Sequence, residues 1–162
     1  SKEPTPTPST PTPSVSATPT PSPTPTPSTI SERAAVDAVI AYTGMVDTLA
    51  ADPQSDMQQL ATVARGQALA QTQYDIAFYR GNGWRQIGRS RLEFVGTTPG
   101  SDATQWLVTM CVDVSEVDVV DTTGQSVVQA DRSPRVLSSF TVDQDHQKYD
   151  WFVTLEATTE TC

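Results

Sequence analysis

Histidine is nearly absent from this chain, since His146 is the only one among its 162 residues. Most catalytic pairs of a nucleophile with a base, and most zinc sites, need at least one histidine. His146 itself lies in a polar segment, residues 143–148, where we expect a solvated turn residue. The sequence therefore argues against histidine-dependent catalysis and against a zinc site.

The same polar segment has only part of the pattern of a calcium-binding loop. Asp143 and Asp145 have the spacing of the first two ligands of such a loop. Lys148 stands where the loop needs its turn glycine, and Thr154 stands where it needs a bidentate glutamate. The other acidic group, at residues 113–121, is typical of a solvated strand end. We therefore expect no metal and no cofactor.

Basic residues are also scarce, with 10 lysines and arginines against 19 acidic residues and a net charge of −9. Binding to nucleic acid needs clustered cations that displace counterions from the phosphates. Adsorption to an anionic membrane surface needs basic residues as well. The sequence also lacks an uninterrupted run of about 18 apolar residues, the length that spans a bilayer. The composition thus argues against a nucleic-acid partner and against a transmembrane anchor.

What the chain has in excess is proline, threonine and serine, which fill its first 29 residues with 10, 9 and 6 copies respectively. A tract with so few apolar residues cannot bury enough surface to offset its loss of conformational entropy. Alternation of proline with small polar residues favours extended polyproline II, which acts as a semi-rigid spacer. We predict a disordered stalk over residues 1–29 that carries one domain over residues 30–162, on the outer side of a membrane.

The first half of the domain has helical patterns. Thr29-Ile30-Ser31-Glu32 matches a capping box, and apolar residues then recur every three or four positions until Asp52-Pro53. A second start signal lies at Ser55-Asp56-Met57-Gln58, and a helical pattern resumes from Gln67 to Arg80. We predict two or three N-terminal helices.

The second half has strand patterns. Segments 85–95 and 105–114 alternate between apolar and polar residues, and segments 135–143 and 149–158 form a last pair. Asp121-Thr122-Thr123-Gly124 predicts a hairpin turn between two short strands. Helices followed by antiparallel strands indicate an α+β fold, with the helices packed on a curved antiparallel sheet of four or more strands.

The chain has two cysteines, Cys111 in an apolar strand-like run and Cys162 at its last position. A bond between them would close a loop of about 50 residues and stabilise the domain by about 4 kcal/mol on the loop-entropy argument. The alternatives are a buried free thiol at Cys111 and a reactive thiol at Cys162. The extracellular character of the stalk favours the disulfide.

This order of elements resembles the NTF2-like cone fold, also called cystatin-like or SnoaL-like. More narrowly, the chain resembles secreted actinobacterial lipoproteins that carry this domain after a stalk rich in Pro, Ser and Thr. The matching segments are Ala41–Met45, Leu60–Leu69, Gly83–Gly88 and Cys111–Ser115, together with Cys162. The resemblance implies a lipid anchor on an N-terminal cysteine, which was removed or replaced in a chain that starts at Ser1.

The fold also includes enzymes similar to ketosteroid isomerase and polyketide cyclases, which use an aspartate base and an oxyanion donor inside the cone. In this chain Tyr42 could occupy the donor position, and Asp113 is the nearest candidate for the base. The other interpretation makes Tyr42 a core residue and leaves Asp113 in solvent. No segment clearly matches an isomerase motif, so we expect a protein without enzymatic activity.

Two groups of residues could bind something. Tyr42, Trp84, Trp106 and Trp151 are candidates for a pocket that holds a small apolar ligand, although the last two tryptophans are expected to fill the core. Arg85, Arg89 and Arg91 are expected to share a strand face, which is a candidate surface for a protein partner.

These observations favour a non-enzymatic cell-envelope lipoprotein domain that binds a protein partner or a small ligand outside the membrane. The alternatives are a small-molecule isomerase or cyclase, an envelope assembly component, and a phage-encoded protein that excludes superinfecting phage. A fold alone does not decide between them.

Overall fold

The computed structural model describes residues 22–23 and 25–162. Most of the predicted stalk therefore lies outside the described residues. The domain contains the following elements, in chain order: α1 (Ile30–Ala51), a 3-10 helix (Met57–Thr62), α2 (Gly66–Gly81), β1 (Arg85–Ile87), β2 (Arg91–Pro99), β3 (Gln105–Asp113), β4 (Asp118–Val120), β5 (Arg135–Gln144) and β6 (Trp151–Thr161).

The predicted capping box begins α1. The Thr29 hydroxyl accepts from the Glu32 N–H, and the Glu32 carboxylate accepts from the N–H groups of Thr29 and Ser28. Glu32 also accepts a hydrogen bond from the Thr97 hydroxyl near the end of β2, which ties the start of the helix to the sheet. These hydrogen bonds lower the pKa of Glu32 from 4.5 to about 2, and the one from Thr97 has the largest effect.

Helix α1 is the core helix of the domain. Its 22 residues are long and apolar enough to cross a membrane, although they contain no uninterrupted apolar run of that length. In the domain its apolar face is covered by the sheet, where Ala35 and Val39 are fully buried. One face of α1 thus contributes to the core, while Ile30 and Ile40 are exposed.

The predicted start of a second helix at residues 55–58 is confirmed, and this helix is of the 3-10 type. Its N-cap Asp56 accepts from the Gln58 N–H. The helical pattern that resumes at Gln67 corresponds to α2, which ends at Gly81 with Asn82 as its C-cap.

The strands form two antiparallel sheets. The larger sheet is curved and has the order β2-β3-β5-β6, and the smaller one consists of β1 and β4. The helices pack against the concave face of the larger sheet, which gives a cone-like α+β domain. This confirms the fold class expected from the sequence.

Residues 85–95 do not form one continuous strand, contrary to the alternating pattern. Gly88 has a φ of +76° and separates β1 from β2, which belong to different sheets. A Cβ atom at this position would overlap the carbonyl oxygen of Glu116, so the backbones approach too closely for any other residue. The hairpin turn at residues 121–124 is present, but β4 pairs mainly with β1.

The core lies between α1, α2 and the larger sheet. Alternate residues of β3 face it, as predicted, and so do residues of β5 and β6. The largest fully buried side chains are those of Tyr42, Phe140, Leu49, Leu60 and Met110.

The two cysteines form a disulfide bond, with their Cα atoms 6.0 Å apart. Cys111 lies opposite Leu137 of β5, and Leu137 lies opposite Glu160 of β6. The bond therefore crosses over β5 and fastens the end of β6 to β3. This confirms the favoured interpretation of the cysteine pair.

Candidate functional site

A cavity of about 270 Å³ lies between α1 and the concave face of the larger sheet. Valines from β3, β4, β5 and the connecting segments supply much of its wall, and a few polar side chains converge on it. The residues that line it are Tyr42, Thr43, Val46, Asp47, Tyr79, Gln86, Ser90, Val112, Val114, Val117, Val119, Arg132, Val136, Ser138, Phe140, Glu156 and Thr158. The cone is thus not completely filled by its own side chains.

Tyr42 is the central polar group of this cavity. Its ring is buried and meets Phe140 edge to face, with the centroids 6.2 Å apart. Its hydroxyl donates to Glu156 Oε2 at 3.0 Å and lies 2.7 Å from Thr72 Oγ1. Burial, and then the nearby Glu156 charge, raise the pKa of Tyr42. The hydroxyl therefore keeps its proton and serves as a hydrogen-bond donor.

Glu156 meets Tyr42 from β6. Glu156 as a whole is exposed to solvent, and partial burial of its carboxyl group at the cavity wall raises its pKa. The hydrogen bond from Tyr42 acts in the opposite direction, and the charge of Asp75 raises the pKa further. Among the described residues, no lysine or arginine lies within ion-pair distance of Glu156.

A bulge in β6 turns Glu156 toward the cavity. Thr141 pairs with Leu155 and Val142 with Val153, so Thr154 is an extra residue without a partner across the strand pair. Before the bulge Val153 faces the core, and after it Glu156 and Thr158 face the cavity while Leu155 is exposed.

A second cavity of about 250 Å³ adjoins the first and has a polar wall. Gln67, Ala68, Gln71, Thr72 and Asp75 of α2 line it, together with Tyr42, Glu156 and Thr158, which line both cavities. The Gln71 side chain donates to Asp75 at 3.0 Å. The border between an apolar and a polar space therefore lies at the Tyr42–Glu156 hydrogen bond.

Asp47 contributes a buried carboxylate to the first cavity, but its partners are within the protein. It accepts from Gln86 Nε2 at 2.7 Å and from the N–H and hydroxyl of Ser90 at 2.9 and 3.0 Å. These bonds hold the corner around Gly88 against α1. Arg132, also on the cavity wall, donates to the carbonyl oxygens of Val114 and Val117. Both residues have structural contacts that account for their presence.

Of the four predicted pocket residues, Tyr42 alone is in the walls of these two cavities. Trp106 and Trp151 pack against the core, and Trp151 also lines an open groove beside α1. Trp84 packs edge to face against Phe78 and Tyr79. The tryptophans therefore have packing roles in this domain.

Asp113 does not converge with Tyr42. It lies at the end of β3, outside both cavity walls, where hydrogen bonds from Ser115 lower its pKa. His146 is exposed in the segment between β5 and β6. Within residues 22–23 and 25–162, no group of three or more His, Cys, Asp or Glu side chains could hold a metal ion.

The prediction that Arg85, Arg89 and Arg91 share one strand face is wrong. Arg85 is in β1, Arg89 is in the corner, and Arg91 is in β2 of the other sheet, because Gly88 breaks the strand. Arg91 pairs with Glu116 at 2.6 Å, whereas Glu93 pairs with Arg135. Both pairs are exposed to solvent.

No protein-family model matches the chain, and no curated protein matches it. Among solved structures, the crystal structure of the intermembrane space region of the chloroplast protein ARC6 is similar, with a TM-score of 0.61. The two sequences are 17% identical, and the similarity covers 80% of this chain and 96% of that chain. At this level of identity the likeness shows a shared fold alone.

Proposed function

We propose that this chain is the extracytoplasmic domain of an NTF2-like cell-envelope lipoprotein of the actinobacterial type, and that it binds a small, largely apolar ligand. The cavity between α1 and the concave sheet carries this proposal. Ligand sites are typically concave, mostly apolar and supplied with a few polar groups that orient the ligand. The valine-rich wall with Tyr42 and Glu156 at one end has this character.

The size of the cavity limits the ligand. Drug-sized molecules occupy pockets of about 300 to 1,000 Å³, and the first cavity has about 270 Å³. A single ring system or a short alkyl chain suits this volume, and a second ring attached to it would extend into the adjoining cavity. The adjoining polar cavity extends the space past Tyr42 and Glu156.

The proposed location outside the membrane is supported by the disulfide bond and by the composition of residues 1–29. Disulfides persist in oxidising compartments, and a Pro/Thr/Ser tract suits a spacer between an anchor and a domain. The similar solved structure is itself an intermembrane space region, which agrees with a domain that works in an envelope compartment.

We propose a binding role without catalysis because the Tyr42 hydroxyl already donates to Glu156. A donor that serves a developing oxyanion has to be directed at the substrate. A small-molecule isomerase or cyclase is the second candidate, since Tyr42 and a carboxyl of raised pKa do share one cavity. Exchange of the α-hydrogens of cyclohexanone in heavy water would reveal such activity, and the binding role predicts the uncatalysed rate.

Fluorescence of N-phenyl-1-naphthylamine, a neutral apolar dye, tests the binding proposal. We expect its emission to rise on addition of the protein and to saturate. Val136→Phe places a ring in the cavity wall and should weaken binding about tenfold or more, whereas Leu137→Phe, on the opposite face of β5, should not. Equal binding by both variants would place the dye elsewhere and contradict the proposal.

A further inference from the structure

The two adjoining cavities differ in chemistry, and their border specifies a head group for the ligand. This inference rests on the proposed function and narrows it to a class of compound. Residues Tyr42, Glu156 and Thr158 line both spaces, with valines on one side and the polar side chains of α2 on the other.

We propose that the ligand is an apolar primary amine, whose ammonium group binds at the border beside Glu156 while its hydrocarbon part occupies the valine-lined cavity. An ammonium group has three N–H donors and needs acceptors around it. The border supplies the carboxylates of Glu156 and Asp75 and the hydroxyl oxygen of Thr158. Gln71 donates to Asp75 through its amide nitrogen, which leaves its carbonyl oxygen as an acceptor.

The acidic side chains at the border favour a cationic head group over an anionic or a neutral one. No basic side chain lines the polar cavity. Within the described part of the chain, neither Glu156 nor Asp75 has an ion-pair partner. Both residues are exposed to solvent, so water can hydrate their charges in the absence of a ligand. A carboxylate group in the ligand would be repelled by both residues, and a neutral hydroxyl would gain no attraction between opposite charges.

The hydrogen bond from Tyr42 to Glu156 also fits the binding of an ammonium group. Because Tyr42 donates to Oε2 of Glu156, it orients that carboxylate and leaves its other oxygen, Oε1, for a ligand. Thr72, 2.7 Å from the Tyr42 hydroxyl, fixes the tyrosine from α2. The raised pKa of Glu156 agrees with a carboxylate that lacks its positive partner, and a bound ammonium group would lower it.

Competition among three compounds with the same tail tests the head group. Octylamine, octanol and octanoate each displace N-phenyl-1-naphthylamine from the protein at pH 8, where a carboxylate is charged and octylamine is protonated. We expect octylamine to compete at a concentration about tenfold lower than octanol, and octanoate to compete least, since a hydrogen bond between charged groups is worth more than a neutral one.

Substitutions at Glu156 and Asp75 test whether the preference for octylamine arises at the border between the two cavities. In Glu156→Gln the ratio between octanol and octylamine should fall to about one, whereas the exposed Glu160→Gln on the same strand should keep it. Asp75→Asn, on the exposed side of α2, should lower the same ratio by a smaller amount. This variant provides the test if Glu156→Gln does not fold. Dye binding with no preference among the head groups, or a preference that survives both substitutions, would overturn this inference alone. Failure of both the dye and octylamine to bind would overturn the proposed function with it.

Discussion

Tyr42 and Glu156 are 114 positions apart in the chain, and their side chains meet at 3.0 Å inside the cone. The contact joins the first helix to the last strand, and it stands where the apolar cavity meets the polar one.

Replacing Tyr42 by phenylalanine should destabilise the domain. The substitution removes the hydroxyl that contacts Thr72 and Glu156, and the buried Thr72 hydroxyl loses this hydrogen bond, whereas the exposed Glu156 can be hydrated instead. We expect the free energy of unfolding in urea to fall by about 1–3 kcal/mol. Tyr74→Phe is the control, since Tyr74 is 68% exposed, and its effect should stay within about 0.5 kcal/mol. Equal effects would mean that the hydroxyl contributes nothing to stability.

The stability of the wild type should depend on pH through Glu156. Its pKa is raised above 4.5 in the folded protein, so the folded state binds the proton more tightly than the unfolded state. The stability from this group is present below pH 4.5 and is lost as the pH rises through the folded pKa. Glu156→Gln cannot titrate, so from pH 4 to pH 8 it should gain stability relative to the wild type. Urea unfolding across this range checks the sign, and a constant difference would contradict it.

Gly88 should tolerate alanine worse than Gly124 does. Both have positive φ angles, of 76° and 83°, so alanine strains the backbone at either position. Only at Gly88 would the new Cβ meet a backbone carbonyl, while Gly124 faces open space. We expect a loss of about 1 kcal/mol for Gly124→Ala and of about 2 kcal/mol or more for Gly88→Ala. Thermal unfolding of the two variants compares them directly, and an equal loss would remove the close approach as a cause.

Reduction of the disulfide should weaken the domain while adding the mass of two hydrogen atoms. The bond spans 51 positions and holds the end of β6, so its loss is expected to cost about 4 kcal/mol. Urea unfolding with and without reductant, together with an intact mass under each condition, measures both effects. A mass unchanged by reduction would show that the thiols are free.

The sequence allowed the element types to be predicted where a local signal was strong. The capping box at Thr29 and Glu32 fixed the start of α1, and alternation over residues 105–114 identified the core face of β3. The corner at Gly88 escaped prediction because alternation continues across it, and a glycine in such a pattern does not reveal that Glu116 packs against it. Because residues 85–95 were taken as one strand, Arg85, Arg89 and Arg91 were also expected to share one face.

The candidate site was predicted only through Tyr42. Glu156 was missed because side chains of a regular strand alternate between its two faces. Counted from Trp151 and Val153, which pack on the core, this alternation places Glu156 on the outer face. The bulge at Thr154 reverses the alternation and turns Glu156 inward. Bulges depend on the partner strand, so a single strand pattern rarely shows them. Thr72 and Asp75 were missed because they lie on α2, whose apolar residues form no clear stripe that would show which side faces the sheet. The tryptophans suggested a pocket by their chemistry, yet their size makes them useful for packing.

The most direct test of the cavity as a ligand site is a titration of the ¹⁵N-labelled full chain with N-phenyl-1-naphthylamine, followed by two-dimensional NMR. The account predicts that the largest shifts of amide signals occur at residues of the cavity wall, including Tyr42, Ser138 and Glu156. Shifts confined to outward-facing positions such as Leu107 and Leu137, with the cavity residues unmoved, would contradict it.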